Sequence, residues 1–481
     1  MKQAMKSLLK AGIASCLLMG AAVSVDASAQ IPLVPQELEQ RRLEVTSHMG
    51  DHDLLILQER PHQVRNDDVH WPYRPSNALY YLTHNKMPDT ALMVQKSGSG
   101  VNSTLYAKAY NARWETWEGK IPTVEDNRAE SGIQNVRPAS QFDAAIFQTI
   151  NTMTNVAGQT PTIWLDLGEL RGDDDHHRNQ AQILAEELKA TFPDIIIKNI
   201  TPFLDEMRIE KSASELAILQ RATDITVEAH KAAMLKAKTA RYEYQVEATL
   251  EYVYREMGAE HWGYPSIVAS GSNGPILHYQ TNQEALQEGG LMLIDAGAEV
   301  SFYSTDLTRT FPQDGTFTAS QKGIYQAVLD AQNAAIDMAR VGTPYSALSQ
   351  RSMEVRIDAL YDLGLISEKT TAQAQLYTLH GLGHTVGLDV HDPANRNAPL
   401  TAGQAWTIEP GIYVRKKHVI ASDIFKALPA RQQQSITAAL DKYDGIGVRI
   451  EDVVLITDGD PVIMSANLPR TIADIERHMA Q

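Results

Sequence analysis

Leu291-Met292-Leu293-Ile294-Asp295-Ala296-Gly297 and, shortly after it, Ser304-Thr305-Asp306-Leu307-Thr308-Arg309-Thr310 decide how this 481-residue chain is read. Four consecutive apolar residues ending in a carboxylate read as a buried strand with an acid at its end. Gly297 then turns the chain toward a second strand that carries Asp306. The two aspartates therefore lie on neighbouring strands. Farther along, Ala405-Trp406-Thr407-Ile408-Glu409 and Gly447-Val448-Arg449-Ile450-Glu451-Asp452 embed two glutamates in strand-like segments. A buried isolated charge is costly, so each of these acids needs a partner.

The two-residue period of a strand puts Arg449 and Glu451 on one face, Val448 and Ile450 on the core face, and Asp452 pointing away from the site. Four carboxylates converging without cations repel one another and protonate, whereas two divalent ions cancel their formal charge. One imidazole, His384, joins Asp295, Asp306, Glu409 and Glu451 as a candidate ligand. A donor set this rich in oxygen suits Mn²⁺ or Co²⁺ better than a closed zinc site, which favours Cys and His; Zn²⁺ stays open as an alternative. His380-Gly381-Leu382-Gly383-His384 mimics the helical histidine pair of zinc proteases, but it lacks the glutamate after the first histidine and holds two helix-disfavouring glycines. His380 is read as a structural hydrogen-bond partner. Two further histidines, His278 in Ile276-Leu277-His278-Tyr279 and His391 in Gly387-Leu388-Asp389-Val390-His391-Asp392, flank the set.

These blocks, together with Ile408-Glu409-Pro410-Gly411-Ile412-Tyr413, follow one another in the order found in the pita-bread metallopeptidases. The chain resembles the aminopeptidase P (Xaa-Pro aminopeptidase) branch of that family. Upstream, Trp71-Pro72-Tyr73-Arg74-Pro75-Ser76-Asn77, Tyr80-Tyr81-Leu82-Thr83 and Trp117-Glu118-Gly119 resemble that branch's N-terminal domain. The resemblance implies an α/β (α+β) chain, a creatinase-like α/β domain followed by a pita-bread catalytic domain. It implies two metal ions, bridged by Asp306 and Glu451, with Asp295 holding one and His384 and Glu409 completing the other. It further implies that activated water attacks the peptide carbon before proline, and that Glu409 passes a proton to the leaving nitrogen. His278 and His391 would orient substrate and hydrogen-bond the developing oxyanion. Arg449 would orient Glu451 or its neighbours, and Tyr413 is read equally as a packed aromatic or a substrate contact. The substrate is then a peptide with a free N-terminus and proline in the second position. A homodimer or homotetramer is implied in the same way.

Two other readings stay open. A prolidase, restricted to Xaa-Pro dipeptides, would recognise the substrate carboxylate, and Arg396 is placed to do so. A catalytically inactive binding protein on the same scaffold would normally lack some ligand positions, and here all five are filled.

The N-terminus reads as a secretory signal over residues 1–29. Lys2, Lys6 and Lys10 precede an apolar stretch from Ala11 to Val25, and Ala27-Ser28-Ala29 forms an A-x-A cleavage site. That core is shorter than the roughly 20 residues of a membrane span, and no later segment reaches that length, so no integral membrane segment is expected in the mature chain. The expected address is periplasmic or secreted. The single cysteine, Cys16, lies inside the signal, which leaves a mature chain without disulfides or thiol chemistry. Of 43 basic and 59 acidic residues, the signal removes three lysines and Asp26. The remaining 40 and 58 give a net charge of −18, which argues against nucleic acid as a partner.

A domain boundary is expected near Thr201-Pro202, with the N-terminal domain over 30–203 and the catalytic domain over 204–481. Ser212 and Glu215 spell a capping box at the start of a helix whose Ile218, Ala222, Ile225, Ala229 and Ala232 share a face. Asp173-Asp174-Asp175-His176-His177 reads as a solvated loop rather than a metal tract. Residues 415–444 form an insertion, read as a solvated helical excursion, with a lid or subunit contact as the alternative.

Overall fold

The computed structural model describes residues 34–97, 100–156, 160–168 and 179–481. The signal over residues 1–29, Cys16 within it, and the tract Asp173–His177 lie outside the described residues. The chain divides into two compact units between Arg208 and Ile209. The boundary expected after residue 203 falls inside a helix, Thr201–Ile209, because Pro202 sits in its first turn, where a missing N–H costs nothing.

The N-terminal unit is built on a six-stranded sheet. Its order is Asn135–Pro138, Gly100–Ala107, Ala91–Ser97, Leu54–Gln58, Thr162–Leu165, Ile196–Asn199. The outer pairs are parallel, and Leu54–Gln58 pairs antiparallel with Ala91–Ser97. Leu54, Leu55, Ile56 and Leu57 are all buried, as a central strand covered on both faces requires. Helix Phe142–Thr154 lays Phe142, Ile146, Ile150 and Met153 on one side of the sheet, joined by Leu184 and Leu188 of Gln180–Thr191.

The C-terminal unit opens with helix Ala213–Ala237. Its capping box forms, with Ser212 Oγ accepting from Glu215 N (3.2 Å) and Ser212 N donating to Glu215 Oε2 (2.9 Å). Ile218, Ala222, Ile225 and Ala229 are fully buried, and Ala232 partly. Three antiparallel strands follow in the order Ile267–Ser270, Leu291–Ala296, Leu307–Pro312. The turn between the two aspartates is made by Ser301 and Phe302, both with positive φ (48° and 63°), and not by Gly297. Gly297 is needed for a close approach: a Cβ there would lie 1.9 Å from the Thr305 carbonyl oxygen. The second half of the unit pairs Ala405–Ile408 with Asp452–Leu455, and Gly411–Tyr413 with Gly447–Arg449. Helices Ala319–Ile336 and Tyr345–Asp362 close its core around Trp406, Ile408, Leu348 and Val454. Residues 415–444 are helical over Lys416–Ala421, Asp423–Lys426 and Ala430–Tyr443, and the last of these buries Ile436, Leu440 and Tyr443. Among the described residues no helix is long and apolar enough to cross a membrane.

Candidate metal centre

Only Asp295 of the four acids lies within a strand. Asp306 precedes Leu307–Pro312, Glu409 and Pro410 separate Ala405–Ile408 from Gly411–Tyr413, and Glu451 lies between Gly447–Arg449 and Asp452–Leu455. The two long strands thus change sheets at the same level. Pro410, with no N–H to give a ladder, sits at one break. Ladder breaks free the backbone to turn carboxylates inward, an effect that alternation alone does not reveal. Thr308 bridges to Glu451 across the two sheets, so both halves of the unit meet at the acids.

Asp306, His384 and Glu451 each present a ligand atom within 4.8 Å of the others, and all three are buried. His384 Nε2 lies 3.4 Å from Asp306 Oδ2 and 3.8 Å from Glu409 Oε1, while its Nδ1 faces the Thr385 carbonyl oxygen at 3.1 Å. Gly383, just before it, passes so near the Thr407 carbonyl oxygen that a Cβ would sit 2.0 Å away.

Asp295 is held from two sides. Arg449 Nη2 donates to its Oδ2 at 2.5 Å, and the Tyr264 hydroxyl lies 2.6 Å from its Oδ1 while also contacting Asp306 Oδ1. Burial works to raise Asp295, but the Arg449 guanidinium and the Tyr264 hydroxyl outweigh it and hold the carboxyl below its usual range. Asp306 is pushed well up by burial and by the negative Asp295, and Glu451 by burial and by Asp306. Glu409 rises to about 8 through burial and the charge of Glu451. Glu451 Oε2 accepts from Thr308 Oγ1 at 2.7 Å, but its buried Oε1 has no donor among the described residues. An acceptor-only cluster with crowded negative charge and an orphaned oxygen fits divalent cations.

A hydrogen-bonded chain runs behind these groups. Arg449 donates through Nη1 to Tyr413 Oη (2.9 Å) and through Nε to Thr308 Oγ1 (3.1 Å). Tyr413 Oη is 2.7 Å from His380 Nε2, and burial, then the positive Arg449 and Arg356, push His380 down to about 3. The Nδ1 side of the neutral imidazole faces Glu409 Oε2 at 3.6 Å. Tyr413, open in the sequence reading, is a buried part of this chain. Asp452 turns the other way, to Arg309 Nη2 (2.6 Å) and Gln332 Nε2 (2.9 Å), with Arg309 and Asp452 both fully buried.

His278 and His391 both stay accessible to solvent. The His391 ring centroid lies 3.9 Å from that of His384 with the rings tilted by 37°, and partial burial, then the charges of His384, Arg396 and His278, push His391 down to about 4. Its loop is pinned from below by Asp392, whose Oδ2 meets Lys211 Nζ at 2.8 Å in a buried pair. Arg396 is exposed and lies over the Tyr345 ring at 5.6 Å. The sequence reading missed Tyr264, Thr308 and Arg309. Tyr264 stands alone in a loop with no periodicity around it, and only its contacts give it a role.

Residues 217–458 match the model of metallopeptidase family M24, and residues 38–157 match the aminopeptidase P N-terminal domain. The chain is 31% identical to the Xaa-Pro aminopeptidase of Haemophilus influenzae over 458 residues, covering 93% of this chain and 98% of that one. The chain belongs to the M24 metallopeptidases, in the Xaa-Pro aminopeptidase branch. It is 30% identical to Xaa-Pro aminopeptidase 3 of Rattus norvegicus over 444 residues, 90% of this chain and 82% of the relative. The solved structure of Escherichia coli aminopeptidase P with the inhibitor Pro-Leu superposes with a TM-score of 0.80 at 28% identity, covering 93% of this chain and 99% of that one. Proline aminopeptidase P II from Yersinia pestis gives 0.79 at 29% identity, with 93% and 100% covered. The architecture is thus that of the M24 branch, an N-terminal aminopeptidase P domain followed by a pita-bread catalytic domain.

Proposed function

We propose that this chain is a metal-dependent Xaa-Pro aminopeptidase, releasing the N-terminal residue from peptides whose second residue is proline. The observation that carries the reading is the Asp306, His384 and Glu451 cluster at the strand breaks, with the orphaned Glu451 Oε1 inside it. Five residues, Asp295, Asp306, His384, Glu409 and Glu451, would hold two divalent ions, Mn²⁺ first among them for an oxygen-rich set. Such ions supply an acidified water and polarise the carbonyl under attack.

The chain's own groups do the rest. Glu409, buried beside His384 with its Oε1 3.8 Å from Nε2, is the carboxylate that passes a proton to the leaving nitrogen. His278 and His391, on the open side of the cluster, reach substrate and donate to the developing oxyanion. Arg449 and Tyr413 keep Asp295 oriented. We further propose a periplasmic or secreted, signal-processed chain and a homodimer or homotetramer, the first supported by residues 1–29 and the second by the family resemblance.

The test is hydrolysis by Mn²⁺-reconstituted protein of an Xaa-Pro-Xaa tripeptide, the matching Xaa-Pro dipeptide and a proline-free control, alongside Asp306→Ala. Tripeptide preference, abolished in a folded Asp306→Ala variant, is expected. Exclusive dipeptide cleavage would make the enzyme a prolidase and give Arg396 the substrate carboxylate. A protein that never retains a divalent ion would remove the catalytic reading altogether.

A further inference from the structure

Glu243, outside the ligand set, is fully buried and accepts four hydrogen bonds. Its Oε1 takes the backbone N–H of Ser270 at 2.7 Å and the Asn273 amide at 3.0 Å. Its Oε2 takes the Tyr279 hydroxyl at 2.7 Å and the backbone N–H of Glu284 at 3.0 Å. The Glu243 backbone N–H in turn donates to the Glu284 carbonyl oxygen at 3.0 Å. All four side-chain contacts fall within Ser270–Glu284, the segment that carries His278.

We propose that Glu243 is the positioning residue for His278, a single buried carboxylate that fixes the start, middle and end of its loop. This inference rests on the aminopeptidase reading, in which His278 meets substrate. Tyr279 is the direct link. Its ring packs with Leu277 against Ile267, Leu293 and Tyr413, while its hydroxyl is held by Glu243. His278 lies between these two inward residues and is thereby turned to the open side.

The chemistry demands an acceptor on both oxygens. Asn273 and Tyr279 can reorient, but a backbone N–H cannot, and one backbone N–H points at each oxygen: Ser270 at Oε1 and Glu284 at Oε2. A glutamine at this place therefore meets a backbone donor with its own NH₂ group whichever way its amide is flipped, leaving a buried donor unsatisfied. One end of the loop must move, although the side chain is nearly isosteric.

The experiment is a double-mutant cycle of Glu243→Gln and His278→Ala in the full, Mn²⁺-loaded chain, reading kcat, KM and bound metal. Glu243→Gln is expected to lower kcat/KM about tenfold or more, the scale on which outer partners of a site act, with metal content unchanged. It is expected to add little further loss in the His278→Ala background, since residues acting as one unit are non-additive. Tyr279→Phe, which removes one of the four donors and keeps the packed ring, repeats the test if Glu243→Gln fails to fold; a smaller loss of the same non-additive kind is expected. Full additivity, or wild-type kinetics for Glu243→Gln beside an impaired His278→Ala, overturns the positioning role alone. Wild-type kinetics for His278→Ala overturns the substrate role of His278 and the inference with it.

Discussion

Arg449 and Asp295 form a largely buried ion pair, Nη2 to Oδ2 at 2.5 Å, and Arg449 is the first group that holds this carboxyl below its usual range while burial and crowded charge push Asp306 and Glu451 up. The guanidinium reaches Asp295, Tyr413 and Thr308 through three different nitrogens. A lysine ammonium is one point charge and cannot span that fork. Arg449→Lys is expected to cost about 10- to 100-fold in metal affinity or kcat, the range for partners that orient ligands. Manganese titration and steady-state kinetics on one preparation check it, and unchanged values in both would show that charge alone suffices.

Tyr264 contacts Asp295 and Asp306 through one oxygen. Tyr264→Phe keeps the ring and deletes only that contact. Ion binding should weaken by about tenfold while the thermal transition of the catalytic unit stays near that of the parent chain. Calorimetry beside metal titration separates the two; a lost fold with normal affinity in the surviving fraction would make Tyr264 a packing residue.

The acids were legible in the sequence because Asp295 closes an apolar run and the other three sit in strand-like segments, and helix Ala213–Ala237 because its capping box is purely local. The strand breaks at Glu409 and Glu451 were not. They come from two strands changing partners at the same level, a pairing between residues 34 to 50 positions apart that no local window contains. The turn at Ser301 and Phe302 was hidden for a related reason. Neither residue advertises positive φ, and Gly297 nearby offers a more obvious turn, yet the glycine answers to the Thr305 carbonyl. Tyr264 and Glu243 are recognisable only by what they touch.

Metal uptake should depend on pH. Burial first, then neighbouring carboxylates, raise Asp306, Glu451 and Glu409, the last to about 8. Without ions Glu409 holds its proton at neutral pH, and ions bind the deprotonated form, so uptake must expel that proton. Competition grows as pH falls below about 8. Apparent Mn²⁺ affinity is therefore expected to drop by about tenfold or more between pH 8.5 and 6.5, one proton of competition giving tenfold per pH unit. Titration calorimetry in buffers of different ionisation enthalpy counts the protons released; a pH-independent affinity with no release would contradict the assignment.

The N-terminal unit offers a pH test free of the metal. Glu59 is buried; its Oε2 accepts from Tyr73 Oη and Ser76 N, both at 2.7 Å, and its Oε1 has no partner among the described residues. Burial, opposed by those hydrogen bonds and by Arg60, raises it from 4.5 to about 7. The folded state thus binds more protons than the unfolded one between those values. Stability falls as pH rises through this window and stays lower above it. A tenfold change in proton affinity is worth about 1.4 kcal/mol, so the deficit is at most about 3 kcal/mol. Glu59→Gln retains an acceptor for Tyr73 and Ser76 and removes the charge. The melting temperature of this unit is expected to rise at pH 8 by the equivalent of about 1–3 kcal/mol and to change little at pH 5. Calorimetric scans of both proteins at the two pH values decide it, and an equal change at both would mean that packing, not the buried charge, sets the difference.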